Sequence, residues 1–369
     1  MSGVILVSAS PGELRAAALD STGGLIDFAL ARPGAPDCVG DLYRGRVGRR
    51  APAMAGAFVL IEGERYGFLP DTEGAAGFTE GAGIAVRVTR AAQGGKGPRL
   101  TARLTAAEAG EAAAIGRMGR IRQGPDAVLR LAALWPEAAV LVDDPGALAR
   151  LAAALPGRVH PGPGFDSALD AELAGLAEPD VALPGGALLR IHPTPALVAI
   201  DVDAAAAAGT ARAASHHQAL NHAAIPELAR QIRLRNLSGA ILVDLAGLSV
   251  RRRKALAGDF FAALAPDPMA PRFLGFTALG LAEIVRPRAA APLHELLSGP
   301  HAAGLAALRA VAKESRAASG RLLSLHAAPA VVRALESDPF ALGELARLTG
   351  RDLMLRIDPA LSPAGWVMG

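Results

Sequence analysis

Two runs constrain this chain more than anything else in it: Leu197-Val198-Ala199-Ile200-Asp201-Val202-Asp203 and Ala240-Ile241-Leu242-Val243-Asp244. Each is a short apolar β segment that finishes on a carboxylate. Interiors this apolar are expected to be buried on both faces, as in parallel or mixed sheets, so an architecture mixing helices and sheet is expected. A carboxylate at the end of such a strand is costly unless it caps a neighbouring element, pairs with a cation or binds a metal at the sheet edge. Magnesium typically takes one or two protein carboxylates and fills its octahedron with waters and phosphate oxygens. Two aspartates from neighbouring strands would supply that set, and a structural capping role is the alternative.

The remaining texture varies along the chain. Val4 to Ser8, Leu14 to Leu19 and Leu25 to Ala29 read as a strand meander turned at Asp20 to Gly24. Five short runs follow: Leu42 to Val47, Ala57 to Ile61, Tyr66 to Leu69, Ile84 to Thr89 and Arg99 to Leu104. Such a series predicts a small closed barrel, for which the oligonucleotide-binding (OB) fold is the commonest candidate. Helical texture returns at Ala127 to Ala133, then a strand at Ala139 to Val142 and a helix capped by Asp144 with Pro145 at its first position. An alanine-rich helix is expected to run toward Arg235 through Pro226. Ser249 can cap a helix carrying Arg251 to Lys254, Phe273 to Ile284 returns to strand, and a small α+β unit follows Ser298.

Composition removes several classes. The hydrophobic fraction is 51% of 369 residues, but 83 of those residues are alanine, so roughly 28% of the chain is larger apolar residues. The longest uncharged stretch, Ala213 to Pro226, is too short for a membrane span and contains His216, His217 and Asn221. Val4 to Val7 is too short for a secretory signal core, and Cys38 is the only cysteine, which excludes an intrachain disulfide and a cysteine zinc site. A cytoplasmic protein is expected. Net charge is only +3, so any nucleic-acid role must rest on local basic patches.

The ordered set Ala196 to Asp203, Asn221, Ala229-Arg230-Gln231-Ile232-Arg233-Leu234-Arg235-Asn236-Leu237-Ser238-Gly239, Ile241 to Asp244 and Gly275 to Ile284 resembles the catalytic core of the ribonuclease E/G family. Upstream, Asp41 to Val47, Ala57-Phe58-Val59, Gly67-Phe68-Leu69-Pro70, Gly95-Lys96-Gly97 and Leu100-Thr101 are similar to that family's barrel. The resemblance implies an endoribonuclease acting on single-stranded RNA, with magnesium held by Asp201 and Asp244 in a deoxyribonuclease I-like subdomain. Metal-activated water would then leave a 5′-phosphate and a 3′-hydroxyl. The family usually has asparagine where this chain has Asp203, which makes Asp203 either a further catalytic group (third ligand or base) or a mark of weakened catalysis. Phe58 and Phe68 match the family's base-stacking aromatics and Lys96 its phosphate contact. Barrel-face aromatics give sequence-tolerant stacking, and without the family each phenylalanine reads as core.

Arg230 and Arg233 share a helical face and either reach phosphate near the metal or form a solvated face. Arg251 to Lys254 read as solvated, His216, His217 and His222 as surface residues, and Tyr43 and Tyr66 as structural. Gly94 to Gly97 lacks the Ser or Thr of a phosphate loop. The family's paired-cysteine zinc link is missing from Leu293 to Lys313, so a homodimer would form without zinc. Comparison with the family also implies that its 5′-monophosphate sensor is missing, since Arg99 to Leu104 leads almost directly to Ile121 to Arg130. The implied arrangement is a ribonuclease H-like structural subdomain (1–36 and 107–163) carrying an inserted OB-fold barrel (37–106), then the catalytic subdomain (164–297) and a small C-terminal domain (298–369). Asp143 and Asp144 are then structural. A non-catalytic RNA-binding relative is the alternative function.

Overall fold

A computed structural model describes residues 3–204, 213–317 and 324–369; of the five consecutive alanines at 204–208, those after Ala204 lie outside them. The chain forms two compact units, one of residues 31–130 with 289–291 and one of the remainder.

In the first unit, strands Leu42–Ala51, Gly56–Glu62, Arg65–Pro70, Arg99–Thr101 and Gly83–Arg90 pair in that order and close on themselves as a five-stranded barrel, consistent with an OB-fold. Period-2 alternation drives the closure: Val59, Ile61, Leu69, Val86 and Leu100 point inward and are 0 to 1% exposed. A sixth strand, Gly119–Arg122, adds to Leu42–Ala51 outside the closure. The helix Ala106–Ala114, started by a Thr105–Glu108 capping box, belongs here too, because Arg44 donates to Ala112 O and Ile115 O and Arg87 pairs with Glu108. This unit therefore extends past the barrel boundary expected at 106.

In the second unit, Val4–Ser10, Glu13–Leu19 and Leu25–Ala31 form the expected meander, extended by Ala139–Val142 and Val159–Pro161, both running parallel to Val4–Ser10. Asp143 accepts from Ser8 Oγ at 2.9 Å and Ala9 N at 2.8 Å, and Asp144 caps Pro145–Ala154 through Ala147 N at 2.8 Å. Both aspartates are engaged in holding backbone and sheet together.

The sheet that carries the site has six strands in the order Asp180–Ala182, Leu188–Pro193, Val198–Asp203, Gly239–Asp244, Ala282–Arg286, Arg272–Phe276. Only the central pair, Val198–Asp203 and Gly239–Asp244, is parallel. That pairing requires a crossover, and the helix Ala213–Leu234 lies in it, with Pro226 inside. Ile225, Leu228 and Ile232 of this helix, with Phe260 of Ala257–Leu264, share one core with Ile200, Val202, Ile241 and Val243. Burial on both faces was expected, and the structure corrects it. Val198, Ile200 and Val202 are buried, while Ala199, Asp201 and Asp203 lie on a half-exposed face. The small side chain of Ala199 disguised a one-sided strand as a continuous apolar run. Phe273 to Ile284 is two antiparallel strands joined by a turn, with Thr277 N bonded to Leu281 O.

The C-terminal part packs Gly299–Ala317, Pro329–Glu336 and Pro339–Thr349 on a three-stranded sheet, Met354–Ile357, Ser324–Ala327, Trp366–Met368. Among the described residues no helix is long and apolar enough to cross a membrane.

Candidate active site

Parallel pairing puts Asp201 directly opposite Asp244 at the ends of the two central strands. Neighbouring strands lie about 4.8 Å apart, so the two carboxylates emerge side by side on the open face. They line a cleft of about 360 Å³ with Asp203, His217, Leu245 to Gly247 and Arg253. Partial burial, then the negative charges of Asp244 and Asp203, hold the Asp201 carboxyl above the ordinary aspartate value, against the opposing pull of Arg190 and His192.

Three groups fix this geometry. Arg253 Nη1 donates to Asp244 Oδ1 at 2.5 Å and to Gly280 O at 3.2 Å, while its Nε donates to Leu248 O at 2.9 Å. Its side chain is 14% exposed, so the solvated-face reading of Arg251 to Lys254 fails at this member of the run. Ser249 does occupy the N-cap position of that helix, Val250–Lys254, but its side chain makes no capping bond. Asn221 is fully buried: its amide donates to His217 O at 2.7 Å and Ala246 O at 2.9 Å, and its carbonyl accepts from Ala246 N at 3.0 Å. The loop after Asp244 is thereby tied to the crossover helix. His217 faces the cleft, its Nδ1 3.3 Å from Gly247 O, where it was expected on the surface. On the other side, Arg190 Nη2 meets Asp203 Oδ2 at 2.9 Å.

Among the described residues no group of three or more His, Cys, Asp or Glu is arranged to hold a metal. The Asp201–Asp244 pair by itself fits magnesium, which needs only one or two protein carboxylates and takes its remaining ligands from water and phosphate.

Arg230 and Arg233 are not brought to the cleft. Arg230 is 13 positions after His217, about 20 Å along a helix. Its guanidinium is bound by Leu25 O at 2.9 Å, Glu227 at 2.9 Å and Glu172. Arg233 lies near the buried carboxyl of Asp27, and its Nε has no hydrogen-bond partner among the described residues. Neither alternative left open for these residues describes Arg230, which serves packing.

On the barrel, Phe58 and Phe68 are register partners on the outer face, half-exposed, with ring centroids 5.6 Å apart and planes at 64°. Neither belongs to the barrel core. Tyr66, expected to be structural, shares their face and is 48% exposed, whereas Tyr43 is buried. Gln93 and Lys96 close a two-residue hairpin whose Gly94 and Gly95 have φ of 57° and 73°, conformations that glycine adopts without strain. The exposed Lys96 leads into Pro98, whose carbonyl accepts from Phe68 N at 2.8 Å, so the cation lies in the turn just before Arg99–Thr101, the strand that pairs beside Phe68.

Paired carboxylates at the ends of parallel strands, open to solvent and backed by a crossover helix, form an arrangement with the chemistry to take a cation at the strand ends. Residues 165–289, which hold the whole six-stranded sheet and both aspartates, match the model of the Ribonuclease E/G family, and over this domain the chain is similar to that family. Ribonuclease E of Nostoc sp. is 36% identical over 129 residues, 35% of this chain and 19% of the relative. Ribonuclease E of Synechocystis sp. is 33% identical over 133 residues, 36% of this chain and 20% of the relative. Ribonuclease G of Escherichia coli is 27% identical over 203 residues, 51% of this chain and 42% of the relative. The chain thus spans between a fifth and about two fifths of the length of these relatives.

Proposed function

We propose that this protein is an endoribonuclease that hydrolyses single-stranded RNA at the Asp201–Asp244 pair, leaving a 5′-phosphate and a 3′-hydroxyl. The observation that carries the reading is the register of those two aspartates within the segment that matches the family. Asp201 and Asp244 would hold a magnesium ion, which when bound supplies an acidified water and neutralises charge on the scissile phosphate. Arg253 orients Asp244 and limits its motion. Asn221 holds Leu245 to Gly247 as one wall of the cleft. Phe58 and Phe68 give the RNA bases stacking faces, and Lys96 offers charge to its backbone. The same reading assigns the sheet around Val4–Ser10 to a ribonuclease H-like subdomain and the site's sheet to a deoxyribonuclease I-like one. It also places the enzyme in cytoplasmic RNA processing or decay, with any homodimer formed without zinc.

Purified protein should cleave a single-stranded oligoribonucleotide with magnesium and not with excess chelator. Asp201→Asn and Asp244→Asn should each lower kcat by at least about a hundredfold. Cleavage that survives both substitutions refutes the assignment of the pair. Salt-dependent RNA binding with no turnover under any divalent metal would instead assign a non-catalytic RNA-binding relative.

A further inference from the structure

Two arginines flank the carboxylate pair, and they are used differently. Arg253 gives its donors to Leu248 O, Gly280 O and Asp244, and little of it is open to solvent. Arg190 is 40% exposed, and its ion pair with Asp203 uses one nitrogen. A guanidinium carries five N–H donors, so most of its capacity remains available to a ligand.

Position matters as much as valence. Leu189 and Ile191 are buried, which turns Arg190 onto the open face of the sheet. Its register partners there are Asp180 on one side and Asp201 on the other, yet its Nη2 meets Asp203. Asp203 lies beyond Asp201 toward the strand end and lines the cleft, so this ion pair holds the guanidinium beside a residue of the cleft wall. A phosphodiester entering the cleft meets three carboxylates, Asp244 paired with Arg253, Asp203 paired with Arg190, and Asp201, and Arg190 is the flanking cation with donors to spare. Guanidinium binds phosphate bidentately.

We propose that Arg190 is a substrate-phosphate contact of this site, and that Asp203 is the positioning residue that aims it. Resting on the reading of Asp201 and Asp244 as the reacting centre, this gives Asp203 a role other than metal ligand or base. An exposed ion pair adds little to stability, so Arg190→Ala should unfold at the wild-type temperature and serve as a clean probe. The test uses a single-stranded oligoribonucleotide in two assays: steady-state cleavage with magnesium, and binding in chelator across a salt series. Arg190→Ala should raise KM about tenfold with a smaller change in kcat. The slope of log binding constant against log salt should shrink by about 0.7, the value for one phosphate contact on a single strand. Arg190→Lys should restore the slope but not the full KM, because ammonium keeps the charge and loses the fork. Asp203→Asn should keep the slope and raise KM less than Arg190→Ala does. Wild-type KM and wild-type slope in Arg190→Ala overturn the proposal. Absence of cleavage by the wild-type protein would count against the proposed activity alone, since the slope in chelator still decides whether Arg190 touches phosphate.

Discussion

Replacing Asn221 by alanine should loosen the cleft from behind. The side chain is fully buried and makes three hydrogen bonds, two of them to the N–H and C=O of Ala246. His217 O has a helix ladder to fall back on, but the Ala246 groups lie in a loop, and no other partner for them is seen among the described residues. Each backbone group left buried and unpaired costs about 1 to 3 kcal/mol. With two such groups and the lost packing, Asn221→Ala should cost about 3 kcal/mol. Urea unfolding reads this as a lower midpoint at constant m. Because Ala246 follows Asp244 by two residues, small displacements there should reach the carboxylate, and kcat should fall at least about tenfold. Asn221→Asp is the sharper control: it keeps the acceptor for Ala246 N but turns acceptor oxygens toward two carbonyls, so it should be no more stable than the alanine variant at neutral pH. A loss under about 1 kcal/mol, or rescue by aspartate, would refute the reasoning.

Burial pushes the Asp27 carboxyl up to about 6, against the pull of Arg233 and Arg286. With the folded pKa raised, this group's contribution is present in full below about pH 4 and is lost as pH rises through 6. The gap from an ordinary aspartate is worth about 3 kcal/mol. Asp27→Asn should therefore remove a fall in stability between pH 4 and 6 that urea titrations of the wild type show; superimposable pH profiles would contradict the burial argument. On the barrel, replacing both Phe58 and Phe68 by alanine should weaken oligoribonucleotide binding by about 1 to 3 kcal/mol for each base released, measured by fluorescence anisotropy. Tyr66→Ala should weaken it further, and unchanged affinity in all three substitutions would remove the barrel face from RNA binding.

Local pattern made much of this legible. Alternating β runs located the barrel strands from Leu42 to Leu69, the pair Asp144-Pro145 started the helix Pro145–Ala154, and apolar runs ending on aspartate located Asp201 and Asp244. Each of those signals is written within a few consecutive residues, where propensity and period act. Arg253 was not legible, because in four consecutive cations the sequence does not say which one the helix turns toward Asp244. Arg230 misled for the same reason. It shares a helix with the cleft residue His217, but distance along the axis and the carboxylates of Glu172 and Glu227 decide what it meets.

What the sequence by itself determined is the chemistry available: two carboxylates on two strands, two barrel phenylalanines and a lysine in a glycine turn. The tertiary structure decided which of these meet. Strand register, a property of pairing between segments some forty residues apart, set Asp201 against Asp244. One-sided burial opened their face to solvent, and the fold supplied the partners that no local motif announces, Asn221 behind the cleft and Arg190 and Arg253 on its two sides. Those contacts follow from long-range packing, whose cost and reward are settled only when the whole sheet is assembled.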